Sequence, residues 1–291
     1  MTFLSNDFLT NLNHNCKMTN FKFIPLITIL TLFISCSGDD DPVVEYVTVT
    51  ETETVTETET VEVEPYADST LEGNITADKT LDASKIWLLK GRVSVVSGST
   101  LTIPAGTIIK AESGTGADAS TLIVARGGKI IANGTADAPI IMTSVSDNIG
   151  VGGTYPSSGP ALGVDTRGLW GGLLILGNAP CSFSGDVTEL QIEGIPTSDI
   201  NGLYGGTNTE DDSGSVEYLS IRHGGAEIGE GNEINGLTLG GVGSGTKINH
   251  VEVVANVDDG IEFFGGTVNA TNLLVWGQGD DAIDIDQAYA G

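Results

Sequence analysis

The chain has 291 residues, of which 39 are Asp or Glu and 12 are Lys or Arg, so its formal net charge at pH 7 is −27. A nucleic-acid-binding protein needs a basic surface to meet the phosphate backbone, and this composition argues against that class. Hydrophobic residues make up 40% of the sequence and only 9 residues are Pro, so most of the chain can form a folded core.

The N-terminal region has the features of an export signal. Lys17 and Lys22 precede an apolar run at residues 23–34, which is too short to span a bilayer and has the length of a signal-peptide core. Ser35 and Cys36 follow, and this arrangement resembles the lipobox of bacterial lipoproteins, in which the Cys carries the lipid. The acidic residues 37–41 (SGDDD) resemble the surface-export signal of Bacteroidota-type lipoproteins.

This resemblance implies a signal peptide at residues 1–35 and a lipid anchor on Cys36 that holds the protein in the outer membrane, exposed at the cell surface. An ordinary secretory signal is the alternative. Residues 43–64 are almost entirely Thr, Glu and Val, without a basic residue, and such a segment repels itself and stays extended. We therefore predict an anchor site and acidic linker at residues 36–66, followed by a folded domain at residues 67–291.

One cysteine of this domain has no predicted disulfide partner. Cys16 lies in the predicted signal region and Cys36 is the predicted lipid site, which leaves Cys181 alone. With no His near it in the sequence, we interpret Cys181 as a small buried side chain rather than a nucleophile.

After Tyr66 the sequence changes to short runs rich in β-branched and apolar residues, separated by Gly, Asn and Asp, which is typical of short strands joined by turns. An internal repeat lies near the C-terminus, where residues 258–263 (DDGIEF) recur 22 residues later as DDAIDI. Residues 250–254 (HVEVV) recur with the same shift as NLLVW. Because two separate strands keep one register, the repeat is structural.

A repeat of 22 to 24 residues with such corners resembles the right-handed parallel β-helix of surface lipoproteins, an all-β solenoid whose coils stack on one another. An antiparallel β-sandwich is the alternative, and it leaves the repeat unexplained. The repeat continues to Gly291 without a recognisable cap, so we expect the domain to extend further. Side-chain alternation predicts an interior column of Leu237, Ile261 and Ile283 and an exterior column of Thr238, Glu262 and Asp284.

Stacking of the repeat brings acidic residues together on neighbouring coils. Two carboxylates about 5 Å apart repel by roughly 3 kcal/mol at an effective dielectric near 20, so a cation or bound protons would relieve the cluster. Hard oxygen ligands favour Ca²⁺. The predicted calcium ligands are Asp258, Asp259, Glu262, Asp280, Asp281 and Asp284. The alternative is that these residues only cap turns and face solvent.

Residues 256–261 (NVDDGI) and 279–283 (GDDAI) resemble the Asn-Thr-Asp-Gly and Gly-Asp-Asp motifs of polygalacturonase-type glycoside hydrolases, which share the β-helix fold. The resemblance implies catalytic roles for Asp259, Asp280 and Asp281. The sequence departs from that family because Val257 replaces Thr and the Gly-His-Gly and Arg-x-Lys segments are missing. A polysaccharide lyase is less well supported, since from Gly224 onward the only basic side chain is Lys247.

Two aromatic residues near the acidic repeat are predicted to bind ligand. Alternation places Phe264 outward beside Asp286, and Trp276 lies near the same column, although packing of Trp276 under a loop is an alternative. We therefore predict a cell-surface lipoprotein whose β-helix domain binds an extracellular glycan or partner protein, with Ca²⁺ and without catalysis. The alternative is a glycoside hydrolase that acts on extracellular polysaccharide.

Overall fold

The computed structural model describes residue 66 and residues 68–155, 161–229 and 232–291. The predicted signal peptide, the lipid site Cys36 and most of the acidic linker lie outside these residues. No helix within the described ranges is long and apolar enough to cross a membrane.

The regular structure of the described residues is almost entirely β-strand, with two short 3-10 helices at Gly116–Asp118 and Ile200–Gly202. In chain order the strands are β1 (Thr70–Ile75), β2 (Lys79–Thr80), β3 (Ile86–Val95), β4 (Thr100–Pro104), β5 (Ile108–Ala111), β6 (Thr121–Val124), β7 (Lys129–Asn133), β8 (Ile140–Ser144), β9 (Leu173–Leu176), β10 (Leu190–Gln191), β11 (Leu203–Tyr204), β12 (Gly214–Arg222), β13 (Glu227–Gly229), β14 (Asn232–Glu233), β15 (Leu237–Gly240), β16 (Lys247–Val254), β17 (Ile261–Phe264), β18 (Asn269–Trp276) and β19 (Ile283–Asp286).

Fifteen strands pair in parallel and form one continuous sheet that turns around three faces. Face A contains β2, β4, β7 and the first halves of β12, β16 and β18. Face B contains the first halves of β1 and β3, then β5, β8 and the second halves of β12, β16 and β18. Face C contains the second halves of β1 and β3, then β6, β9, β15, β17 and β19.

The chain therefore passes from face A to face B to face C and begins the next coil on face A. This is the right-handed parallel β-helix expected from the repeat, and the antiparallel sandwich is excluded. Antiparallel pairing among the described residues is confined to two short hairpins, β10 with β11 and β13 with β14, and one bridge in a loop.

The interior columns have the predicted register. Leu237 pairs with Ile261, and Ile261 pairs with Ile283 on the next coil. Leu237 and Ile261 are fully buried, whereas Ile283, in the last coil of the chain, is 45% exposed. Burial of these columns along the helix forms one continuous apolar core.

Small residues are required where face C begins. A Cβ on Gly236 would lie 2.4 Å from Val253 Cγ1, and a Cβ on Gly260 would lie 2.2 Å from Val275 Cγ1. At these two positions the corner passes too close to the face B strand of the following coil for a side chain. Space, rather than backbone conformation, therefore explains the glycines of the repeat.

A long insertion between β9 and β12 covers the outside of face C. We call this insertion the strap (residues 177–213). It packs on outward side chains of face C through Ile192, Ile195 and Tyr204. These outward partners are Ile123, Leu174, Leu176 and Phe264. The strap adds a second layer to one face of the solenoid.

The exterior column has the predicted register, but two of its three members are covered by other parts of the chain. Thr238, Glu262 and Asp284 do stack on the outer side of face C, in the predicted register. Thr238 is only 2% exposed and Glu262 only 7%, and Asp284 alone is partly open to solvent. Alternation determines which way a side chain points, whereas its burial here depends on chain segments outside the repeat.

Candidate functional site

The acidic residues meet at the edge of face C where the chain arrives from face B. Asp258 and Asp280 lie in the turns before β17 and β19, and Glu262 and Asp284 are the second residues of those strands. Glu193 of the strap joins them. Its charge raises the pKa of Glu262, and the charge of Asp258 raises the pKa of Glu193. We call this set, with Asp259, the acidic cluster: Glu193, Asp258, Asp259, Glu262, Asp280 and Asp284.

Two groups of three carboxylates share Asp259. In the inner group, one oxygen each from Asp259, Glu262 and Asp284 lies within 4.8 Å of the others. The outer group of Asp258, Asp259 and Asp280 meets the same limit. Ca²⁺ binds oxygen at about 2.3–2.6 Å, so two ligands of one ion are at most about 5 Å apart. Both groups therefore have the spacing and the hard oxygen donors that a calcium site requires.

Glu262 is a buried member of the inner group. Burial, followed by the charges of Glu193, Asp259 and Asp284, raises the pKa of its carboxyl to about 9. The Asn235 side-chain amide donates a hydrogen bond to Glu262 Oε2 and opposes this shift. Without a cation, Glu262 therefore holds its proton at neutral pH.

Asn235 provides an independent sign of a missing partner. Its Nδ2 also lies 3.5 Å from Glu193 Oε1, yet its buried Oδ1 has no hydrogen-bond partner in the described structure. Because the oxygen and nitrogen of an amide are nearly interchangeable in shape, rotation of this amide would present Oδ1 to the carboxylates. The amide could then serve as a further oxygen ligand.

The turn before β17 is held by Asn256. Its fully buried amide donates to the Asp259 carbonyl at 2.8 Å and to the Ile234 carbonyl on the previous coil at 3.1 Å. The Asp259 carboxylate in turn accepts the backbone N–H of Asp281 at 2.9 Å. These bonds connect successive coils and fix the position of Asp259, whose pKa is raised mainly by burial.

The structure brings together five of the six predicted calcium ligands. The exception is Asp281, which is exposed and belongs to neither carboxylate group. Of the three residues proposed as catalytic, Asp259 and Asp280 therefore approach each other, and Asp281 contacts Asp259 through its backbone.

The two predicted ligand-binding aromatics differ in exposure. Phe264 points outward beside Asp286, as the alternation predicts, but it is only 6% exposed because Tyr204 of the strap packs against it at a ring-centroid distance of 6.1 Å. Its ring is therefore not accessible to a ligand. Trp276 is 55% exposed at the end of β18, and its neighbour two residues earlier, Leu274, is similarly exposed.

Trp276 belongs to an outward column of face B that also contains Val254 and Arg222 on the preceding coils. Arg222 forms an ion pair with Glu252 at 3.6 Å and donates to Tyr155 Oη at 3.3 Å. Val254 therefore separates the exposed Trp276 from these fixed polar groups, which lie further along the same face.

Sequence reasoning missed Glu193, Asn235 and Arg167. Arg167 comes from a segment before β9, and its Nη1 lies 3.3 Å from the position that a Cβ would occupy on Gly279, next to Asp280. A guanidinium therefore lies beside Gly279, the residue before Asp280, although the sequence around the cluster contains almost no basic residue. Only the stacking of distant segments brings these groups together, and no local pattern marks them.

A parallel β-helix with an acidic site on its strap-covered face is the class of protein that this geometry defines. Residues 73–291 match the family described as "Pectate-lyase like beta helix domain", and the chain belongs to that family. No curated protein and no solved structure matches the chain.

Proposed function

We propose that this chain is a cell-surface protein whose β-helix domain binds an extracellular glycan, with a Ca²⁺ ion held by the acidic cluster, and that it does not cleave the glycan. The inner group of Asp259, Glu262 and Asp284 carries this proposal. A buried carboxylate with two acidic neighbours is costly in its charged form, and a divalent cation would offset that cost.

The fit of Ca²⁺ rests on the donor set. Asp259, Glu262, Asp284 and Glu193 supply carboxylate oxygens, and Asn235 has an amide oxygen without a partner. Ca²⁺ takes six to eight oxygens in flexible geometry, so these groups together with water satisfy it. The described part of the chain places no thiolate or imidazole in either group, which favours a hard cation over zinc.

A glycan is the ligand that the outer surface favours. Trp276 is an exposed aromatic side chain on a fixed strand, and Arg222, two coils earlier in the same column, is held by Glu252 and Tyr155. An aromatic face that meets the C–H side of a sugar, with hydrogen-bonding groups beside it, is a common arrangement for binding carbohydrate. The family description, which likens the domain to pectate lyases, points to the same class of ligand.

The predicted lipid on Cys36 would hold this domain at the outer membrane, with the acidic linker between the membrane and residue 67. Replacing Cys36 with Ala in the expressed full-length chain should release it from the membrane fraction. Retention of the variant in that fraction would contradict the anchor.

Thermal unfolding with and without Ca²⁺ tests the metal site. We expect Ca²⁺ to raise the Tm of the wild type and EDTA to reverse the rise, because a ligand that binds only the folded state stabilises it. Asp259→Asn should lose most of the rise. Glu72→Gln, a change in an exposed ion pair on β1, should keep it. A wild-type Tm that does not respond to either reagent would overturn the calcium proposal.

Hydrolysis is the second candidate because Asp259 and Asp280 lie close together. Their oxygens are within 4.8 Å, which is less than the separation of about 6.5–9.5 Å of inverting glycosidases and nearer the 5–5.5 Å of retaining ones. Incubation with plant and algal polysaccharides, followed by measurement of reducing ends, tests this candidate. If the wild type releases reducing ends and the variants Asp259→Asn, Asp280→Asn and Asp281→Asn do not, the protein is a glycoside hydrolase and not only a glycan-binding protein.

A further inference from the structure

A separate cleft lies at the other edge of face C. Because the strands are parallel, the residues that follow them meet at the edge opposite to the acidic cluster, where the chain turns toward face A. Here the strap and two corners of the helix enclose a cleft of about 480 Å³. Its walls are formed by Ser97, Arg126, Gly127, Asn178, Glu189 and Asp211.

Arg126 is held in a fixed position in this cleft. Its Nη1 donates to the Gly205 carbonyl at 2.8 Å, and its Nη2 lies 2.7 Å from Glu189 Oε2. Both partners belong to the strap. These two contacts use two of the five guanidinium N–H groups, and the charge of Arg126 is paired.

The floor of the cleft is also fixed. Asp211 is buried and its carboxylate accepts the Ser213 hydroxyl at 3.2 Å, together with backbone N–H groups of Asn178 and Gly243. The Asn178 carbonyl accepts the backbone N–H of Asn208 at 2.9 Å. Because these donors and acceptors are already fixed, the protein loses less conformational entropy when a ligand binds.

The chemistry of the walls selects the ligand. The six lining residues include one guanidinium and two carboxylates, so the cleft has no excess positive charge for an anion. They also include no apolar side chain, so a fatty or aromatic ligand has nothing to bury against. Hydroxyl groups both donate and accept hydrogen bonds, and they complement paired carboxylate, amide and guanidinium groups.

We propose that this cleft binds an uncharged, hydroxyl-rich ligand, namely a neutral sugar residue, independently of Ca²⁺. The inference builds on the proposed glycan-binding function and specifies its ligand, since it assigns a neutral rather than an acidic sugar to this edge of face C. The strap contributes Glu193 to the acidic cluster and Glu189 to the cleft, so one segment lines both sites.

Titration of the full chain with neutral and acidic trisaccharides tests the proposal. The probes are cellotriose, mannotriose and galactotriose as neutral sugars and trigalacturonate as the acidic one, each followed by NMR of the Arg126 Nε–H and Asn178 amide signals. At least one neutral sugar should shift these signals to saturation, equally in EDTA and in Ca²⁺, and trigalacturonate should not. If no neutral sugar shifts them, or if trigalacturonate shifts them as strongly, the proposal is overturned.

Variants distinguish sugar binding in this cleft from Ca²⁺ binding at the acidic cluster. Glu189→Gln removes an acceptor and frees the Arg126 charge, so it should weaken neutral-sugar binding about tenfold and allow trigalacturonate to bind. Asp259→Asn should leave the cleft unaffected, and Lys90→Gln, in a remote surface ion pair, is the control. A wild-type Tm that does not respond to Ca²⁺, with intact sugar binding at Arg126, would refute only the calcium proposal. If Glu189→Gln binds the neutral sugar with unchanged affinity, the proposal that the cleft is a sugar-binding site is refuted.

Discussion

Glu262 and Asp284 occupy directly paired positions on consecutive coils, and one oxygen of each carboxylate lies within 4.8 Å of the other. The pairing follows from the parallel register that also sets Ile261 opposite Ile283. Glu262 is buried and Asp284 is partly exposed. Loss of water around the charged carboxylate therefore costs more free energy at Glu262 than at Asp284.

The first prediction concerns the pH dependence of stability in EDTA. Burial raises the pKa of Glu262 to about 9 from an unfolded value near 4.5, so the folded state binds an additional proton between these values. The stabilisation by that proton is complete below the unfolded pKa and is lost as the pH rises through the folded pKa. The Tm of the wild type should therefore fall from pH 6 to pH 10.

Glu262→Gln is the matched control for this prediction because it keeps the shape and removes the titration. Its Tm should fall less steeply over the same pH range, as measured by circular dichroism. Parallel slopes for the two proteins would show that Glu262 does not hold the proton. Saturating Ca²⁺ should reduce the wild-type slope, since it favours the ionised carboxylate.

The second prediction compares two isoleucines of one interior column. Ile261→Ala removes a fully buried side chain and should lower the free energy of unfolding by about 2–5 kcal/mol. Ile283→Ala changes the paired residue of the last coil, which is 45% exposed, and should cost clearly less. Urea unfolding of the full chain measures both, and equal losses would contradict the described difference in burial.

The third prediction concerns the exposed tryptophan. The chain has 3 Trp residues, and Trp87 and Trp170 are buried. Trp276→Phe should remove most of the fluorescence that acrylamide quenches, whereas Trp170→Phe should retain it.

A bound glycan should also protect Trp276 from quenching, and Trp276→Ala should weaken glycan binding by roughly three- to tenfold, the range expected for loss of one aromatic contact. A variant that binds with wild-type affinity would show that the aromatic side chain of Trp276 is not part of the glycan site.

The fourth prediction concerns Cys181. Burial raises the pKa of its thiol to about 11, and its Sγ lies 3.3 Å from the Phe264 carbonyl, to which it donates. Because the thiolate is the reactive form, alkylation by iodoacetamide at pH 8 should be about 100-fold slower in the folded protein than in urea. Peptide mapping by mass spectrometry measures the rate at this residue, and rapid modification in the folded state would indicate an activated thiol.

The sequence by itself determined the fold and the register of its last coils. Two strands that repeat with the same 22-residue shift can keep that shift only if each coil lies directly on the previous one, so Ile261 must face Ile283 and Glu262 must face Asp284. The positions of small residues at the corners, Gly236 and Gly260, followed from the same repeat.

Only the tertiary structure decided what covers each face. Alternation along a strand predicts that Phe264 and Glu262 point outward. The strap that buries Phe264, however, is an insertion with no repeat of its own, so the alternation does not predict this burial. Glu193 joins the acidic cluster from such a segment, and the segment before β9 places Arg167 beside Gly279. Contacts between coils are periodic and readable from spacing, whereas contacts made by insertions depend on how distant segments pack, and the local sequence does not encode that packing.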